Sequence, residues 1–403
     1  MAVLAPIIGE RRTGIAVSVR LPYCGHQRIV VATQSTNRKA AVARRGMRHV
    51  TLALQGGGAH GAYTWGVLDR LIEEPSLTIE AVSGTSAGAM NGALLVDGWN
   101  RGGREGVQHA LATFWREVSK AGDAAFNPWR YVDAWPALRG VAGAWSDAMA
   151  RLWSPYDNPL YRNPLADIVA ATIDFVSVRR ARRPRLFVCA TNVLTNERQI
   201  FSGRAIDADA LLASACLPTL FQAVEIDGAY YWDGGFTGNP ALEPLIAYAQ
   251  DLVIVEVNAL RRAAPPTSAT EIFNRLNEVS FNSSLVQEIR TIDMMNKLIA
   301  AGTLTDPRYR IVRFHAVEAD PALAALGADS KHNTDWDFLR ELHALGRAAA
   351  QRWLEDPDQC GAIGRAHSVD VERRFCALAR GRISGGEMVG VSGFEPPAST
   401  SRT

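Results

Sequence analysis

The sequence predicts an α/β protein. The expected architecture is a three-layer, mostly parallel central sheet with helices on both faces, plus a helical C-terminal extension. Three observations predict it. Short apolar strands alternate with helical segments from about residue 48. The breaks between them are glycine turns, which give the order strand–turn–helix twice within about fifty residues. From Ala269 onward the periodicity turns helical and amphipathic. A chain of 403 residues that is 47% hydrophobic and 21% charged has enough apolar side chain for a large core.

The elements follow in order. Residues 48–55 (RHVTLALQ) read as a buried strand broken by Gly56-Gly57-Gly58, and Ala59 to Glu74 as a helix with Tyr63, Val67, Leu68, Leu71 and Ile72 on one face. Residues 78–83 (TIEAVS) form a second strand ending at Gly84, and Ala87 to Trp99 a second helix. Residues 101–165 carry Trp115, Trp129, Trp135, Trp145 and Trp153 among prolines. They read as a packed insertion, or as a lid or acyl-chain wall. Arg185–Ala190 is an apolar run of the central-strand kind, with shorter strands at Arg198–Ser202 and Ala223–Ile226 and a hairpin turn at Asp227-Gly228. Leu252–Val257 and Tyr309–Phe314 are the remaining strands. Ala269–Ala301 and Thr334–Glu355 are the late helices, the second capped by Thr334. The expected organisation is a basic N-terminal segment (1–47), a catalytic domain (48–260), an extension packed on it (261–380) and a disordered tail (381–403).

Three motifs carry chemistry. Gly84-Thr85-Ser86-Ala87-Gly88 places a serine on a sharp strand-to-helix turn, where flanking glycines permit the bend and the following helix aims its N–H groups at the site. Ser86 is the candidate nucleophile. Gly56-Gly57-Gly58-Ala59-His60-Gly61 can line backbone N–H groups along a concave surface, as a developing oxyanion requires. Tyr231-Trp232-Asp233-Gly234-Gly235 ends a strand in an open turn, with Asp233 the candidate base. An unperturbed Asp is a weak base at neutral pH, so the site would have to raise its pKa. The same glycines fit a dinucleotide fingerprint, but that reading needs an acid at the end of the second strand. This strand ends Val82-Ser83-Gly84 and runs into the serine turn.

Together, in this order, the motifs resemble the patatin-like phospholipase family over residues about 50 to 260, helped by Ser214-Ala215-Cys216-Leu217-Pro218 ahead of the Asp. The resemblance implies a patatin-like fold, a Ser86–Asp233 dyad in place of a triad, and an oxyanion hole from the N–H groups of Gly56, Gly57 and Gly58. Gly61, Gly84, Gly88, Gly234 and Gly235 are then motif glycines. It further implies a lipid ester substrate met at a membrane or micelle surface, and no metal or organic cofactor. Many relatives carry Arg where this chain has His60.

Two other readings compete. A Ser–His–Asp triad would take His315, or less well His332 or His343, as its histidine. A non-catalytic membrane-surface protein would draw on the basic arm and the Trp-rich segment. A net charge of +2 gives no case for nucleic acid. The first fifty residues are basic, with Glu10 the one acid. They read as a disordered tail or upstream translation ahead of Met47, with a targeting or membrane-surface arm as the alternative. No secretory signal and no spanning run of roughly 18 apolar residues is evident. Five scattered cysteines without a C-x-x-C pair fit a reducing compartment, hence a cytoplasmic expectation, peripheral to a membrane.

Overall fold

The computed structural model describes residues 47–125, 155–157, 163–260, 262, 264–319 and 321–364. The basic segment through residue 46, Trp129, Trp135, Trp145 and Trp153, and the tail from 381 lie outside the described residues. The described chain builds one eight-stranded sheet. In chain order its elements are β1 (Arg48–Leu54), α1 (Gly61–Ile72), β2 (Leu77–Gly84), α2 (Ala87–Ala125), α3 (Pro164–Thr172), α4 (Phe175–Arg180), β3 (Arg185–Asn192), β4 (Arg198–Ser202), α5 (Ala208–Ser214), β5 (Val224–Ile226), β6 (Ala229–Asp233), β7 (Asp251–Val255), α6 (Ala269–Ala300), β8 (Arg313–Val317), α7 (Pro321–Ala324) and α8 (Trp336–Glu355).

The strand order is β5-β6-β3-β2-β1-β7-β8, with β4 also on β3. β3, β2, β1, β7 and β8 run parallel; β4 and β6 pair antiparallel with β3, and β5 pairs antiparallel with β6. The sheet is therefore mostly parallel, as expected. Alternation along each strand divides the core between two faces. Leu52, Leu54, Val82 and Val188 meet Leu68, Leu94 and Leu111 on one side. Ala53, Ala81, Leu252, Ile254 and Phe314 meet Leu285 and Ile289 of α6 on the other. Helices thus cover both faces. α8 lies on α1 at backbone contact: a Cβ on Gly66 would stand 1.9 Å from the His343 carbonyl oxygen. No described helix is long and apolar enough to cross a membrane.

Three expectations change. The helix expected over Ala87–Trp99 does end close to that point, at Gly102-Gly103 where the backbone leaves helical angles, but a second helix follows directly and runs to Ala125 in the segment expected as an irregular insertion. The start of the supposed insertion is therefore helical, and Trp115 is buried. The last strand is Arg313–Val317, not Tyr309–Phe314. Asn296 takes both backbone groups of Val312 with its side chain, at 2.7 and 2.9 Å, so pairing starts one residue later, where Arg313 meets Asp251. The cap of α8 is Asp335, which accepts from the N–H groups of Asp337 and Phe338, rather than Thr334.

Candidate active site

One edge of β3 carries two different strands. β4 occupies the opposite edge over Phe187–Thr191, so β2 and β6 must share this one. β2 pairs along it up to Gly84 opposite Val188. β6 approaches antiparallel and ends with Asp233 opposite Ala190. The two chains meet end to end, two β3 residues apart. The turn after β2 holds Ser86, and the turn after β6 holds Asp233.

Ser86 is bent into the left-handed region, with φ of 55°. A non-glycine residue is strained there by roughly 1–3 kcal/mol, and such strain persists only where neighbours enforce it. The neighbours are specific. The Ser86 N–H donates to Ser214 Oγ at 2.9 Å, and Thr85 Oγ1 donates to the Gly238 carbonyl at 2.6 Å. The Gly88 N–H closes the turn on the Thr85 carbonyl at 2.8 Å. Gly88 itself admits no side chain, since a Cβ would stand 2.2 Å from the Leu54 carbonyl oxygen. Ser86 stays partly exposed at the N-terminus of α2, and the helix dipole there favours negative charge.

Asp233 is 1% exposed. Its Oδ1 accepts the Gly235 N–H at 2.7 Å, and its Oδ2 is buried without a well-formed partner. Burial raises its pKa from 3.8 to about 7, against the lowering effects of the Gly235 N–H, the Ser86 hydroxyl and the more distant Lys331 ammonium. The Ser86 hydroxyl is thus close enough to act on the carboxylate but does not satisfy Oδ2. A carboxyl with a pKa near neutrality can take up and release a proton at neutral pH, and desolvation is what brings it there.

The glycine loop is held by side chains that local pattern reading misses. Its first peptide groups are clamped on two sides: the Gly56 N–H donates to Asn239 Oδ1 at 2.7 Å, and the Gly56 carbonyl accepts from Asn258 Nδ2 at 2.8 Å. Gln55 stitches the end of β1 to the chain after β7, its Oε1 accepting from the N–H groups of Val257 and Asn258. Gly56 therefore spends its own N–H on Asn239. Among the described residues no hydrogen bond takes the N–H groups of Gly57 and Gly58. These two N–H groups are the ones the loop leaves unengaged. Gly58 has φ of 57°, and a Cβ on it would stand 2.4 Å from the Lys331 carbonyl oxygen, so only glycine fits. The other motif glycines act as spacers: Gly61 against Ala87, Gly84 against Gly88, Gly234 against the Cys189 carbonyl and Gly235 against Phe281.

Neither His315 nor His343 completes a triad. His315 is fully buried on β8, with Nε2 on Asp251 Oδ1 at 2.8 Å. Its strand lies three places from β2, and its register lies two residues below the level of Gly84. At about 4.8 Å per strand it stands more than about 14 Å from the serine turn. His343 pairs with Asp69 at 2.8 Å between α8 and α1. His60 bonds Ser330 Oγ at 2.7 Å through Nε2. Burial, with help from Lys331 and His332, drops its pKa to about 3, so His60 is neutral and supplies no positive charge to the loop. No group of metal-binding side chains occurs among the described residues.

Asn239, Asn258, Gln55 and Lys331 are the residues that sequence reasoning passes over. Asn239, just before Pro240 and close after the D-G-G turn, carried a turn signal; Lys331, 270 residues beyond the loop it meets, carried none.

The patatin-like phospholipase family model matches residues 52–246, a span that takes in the glycine loop, the serine turn and the D-G-G turn. No curated protein matches the chain. Among solved structures, VipD from Legionella pneumophila is similar at 16% identity, covering 74% of this chain and 67% of that one, with a TM-score of 0.29.

Proposed function

We propose that the chain is a serine acyl hydrolase that cleaves carboxylic esters of lipids through a Ser86–Asp233 dyad. The observation that carries the reading is the meeting of a strained, partly exposed serine with a buried carboxylate whose pKa stands near 7 and whose Oδ2 has no partner. A purely structural Asp in a turn would fill both oxygens or face water. The family match over residues 52–246 supports a lipid substrate.

In the proposed reaction Ser86 Oγ attacks the ester carbonyl carbon and its proton passes to Asp233 Oδ2. The carbonyl electron pair moves to oxygen, and the N–H groups of Gly57 and Gly58 receive that oxyanion. Collapse expels the alcohol, which takes the proton from Asp233, and leaves an acyl-enzyme on Ser86. Water then attacks the acyl carbon, Asp233 again takes the proton, and Ser86 leaves protonated as the fatty acid departs. Every proton is returned and no redox partner is required.

The test is hydrolysis of p-nitrophenyl and phospholipid esters by wild type, Ser86→Ala and Asp233→Asn, with circular dichroism to establish folding. Each variant should lose at least about a thousandfold in kcat, the scale seen when a nucleophile or its base is removed. Retention of wild-type turnover by either folded variant would reject the dyad. Fluorophosphonate labelling of the wild type that vanishes in Ser86→Ala separates an enzyme from a non-catalytic protein of the same fold.

A further inference from the structure

The segment Ala328–His332 lies far along the chain from the oxyanion loop, yet it packs on that loop. The Lys331 carbonyl occupies the space where a Gly58 side chain would be, and Ser330 Oγ meets His60. The Lys331 ammonium turns inward. Its Nζ donates to Asn258 Oδ1 at 2.8 Å and to Asn277 Oδ1 at 3.1 Å. This settles the orientation of the Asn258 amide, because an ammonium has only donors and can face only the oxygen. The amide nitrogen must then face the other way, and it donates to the Gly56 carbonyl.

The direction of that carbonyl matters. Gly56 follows β1, with β7 on one side and β2 on the other. Asn258 stands on the β7 side. Across a trans peptide the C=O and the next N–H point in opposite directions. Pulling the Gly56 carbonyl toward Asn258 therefore turns the Gly57 N–H toward the β2 side, where Ser86 stands. The Asn239 bond to the Gly56 N–H fixes the preceding peptide plane.

We propose that Lys331 and Asn258 are positioning residues for the oxyanion hole: Lys331 orients the Asn258 amide, and Asn258 holds the Gly56–Gly57 peptide in the rotation that aims the Gly57 N–H at Ser86. Glycine at both positions leaves that peptide free to turn, so the rotation has to be imposed from outside the loop. Both residues lie beyond residues 52–246, and through Lys331 the extension contributes to the geometry of the reacting centre. The inference rests on the hydrolase reading above.

Lys331 is also the group whose ionisation would be felt. Burial lowers its pKa to about 8, against the raising effects of Glu278 and Asp233. The ionisable groups facing it are Asp233 after β6, Glu278 on α6, and His60, which His332 faces in turn. A neutral amine can accept as well as donate, so the amide orientation is no longer imposed once Lys331 loses its proton. Turnover should rise as Asp233 ionises through about pH 7 and fall again as Lys331 deprotonates above about pH 8.

The test compares wild type with Asn258→Asp, Lys331→Met, Lys331→Arg and Ser86→Ala, using p-nitrophenyl ester kinetics across pH and 15N-glycine spectra of the Gly57 and Gly58 amides. Asn258→Asp keeps the shape and the Lys331 partner but deletes the donor to Gly56. Its kcat should fall about 10- to 100-fold with KM within about twofold, on the scale of losing one oxyanion donor. Lys331→Met should fall by a similar factor and lose the alkaline limb, whereas Lys331→Arg, still donor-only, should recover most of kcat and carry no limb near pH 8. The Gly57 amide should shift or broaden in Asn258→Asp and Lys331→Met. Wild-type kcat and unmoved glycine amides in both variants, beside an inactive Ser86→Ala, would overturn the positioning role and leave the hydrolase intact. A wild type as inert as Ser86→Ala would overturn the hydrolase reading, and the amide spectra then decide whether the loop is still held as described.

Discussion

If Asp233 is the base proposed above, it sets stability against chemistry, and Asp233→Asn should expose the conflict. In the folded chain burial raises this carboxyl from 3.8 to about 7; in the unfolded chain it ionises at its ordinary value. Between those two pH values the unfolded chain sheds its proton and the folded chain keeps it. The stability this group contributes is therefore complete below about pH 4, drains away as pH rises, and is gone above about pH 7. Each pH unit is worth about 1.36 kcal/mol, so a rise of about three units means about 4 kcal/mol in all. The amide in Asp233→Asn does not titrate, and its oxygen still accepts from the Gly235 N–H that now bonds Oδ1. Urea unfolding of both proteins at about pH 5, 6, 7 and 8 measures the difference. The variant should gain on the wild type by about 3 kcal/mol between pH 5 and 8, nearly all of it below about pH 7, while hydrolysing no ester. A difference that stays flat with pH would mean that Asp233 titrates as an ordinary carboxyl. The argument that burial makes it a base would then fail.

Two other substitutions probe the scaffold around the dyad. Asn239→Ala leaves the buried Gly56 N–H without its acceptor, which should destabilise the fold by about 1–3 kcal/mol and lower kcat more than it alters KM; unchanged kcat with a full loss of stability would show that this clamp is structural only. His315→Ala should leave kcat within about twofold while lowering the urea midpoint, because Asp251 loses a buried partner. Abolished turnover in a folded His315→Ala would instead revive the triad.

The parts of this site that were legible in the sequence are those made within a few residues. A glycine run after an apolar strand, a G-x-S-x-G turn and a D-G-G turn each announce a backbone conformation that only such residues permit, and Ser86 indeed sits at positive φ. The sheet's parallel core was legible because Val50, Leu52 and Leu54 alternate and Leu186 to Ala190 is continuously apolar, in runs short enough and bounded closely enough by turn residues to read as strands. What was not legible depends on pairing across distance. Nothing local in Asp233 says that β6 will share an edge of β3 with β2. Asn258 and Lys331 are ordinary polar residues until the fold places one on the Gly56 carbonyl and the other on that amide. The helix that follows Gly102-Gly103 was hidden because those glycines do end the one before them, and nothing local says that a second helix starts at once. The α8 cap was misplaced by one residue because Thr334 and Asp335 both carry a capping oxygen, and only the turn geometry selects between them.

The shared edge of β3 has a further implication for how the chain tolerates change. The gap between the Ser86 turn and Asp233 is counted out in β3 residues, from Val188 opposite Gly84 to Ala190 opposite Asp233. Inserting one residue between those positions would lengthen the gap by about 3.3 Å and reverse which face each following side chain presents. Insertions in the connection between β4 and β5, in contrast, leave that count untouched, because β6 docks by register and not by the length of chain that leads to it. Length variants of this protein should therefore survive at residues 203–205 of that connection, which face solvent ahead of α5 and of the Ser214 that holds Ser86, and fail within Val188–Ala190, whichever amino acids are added.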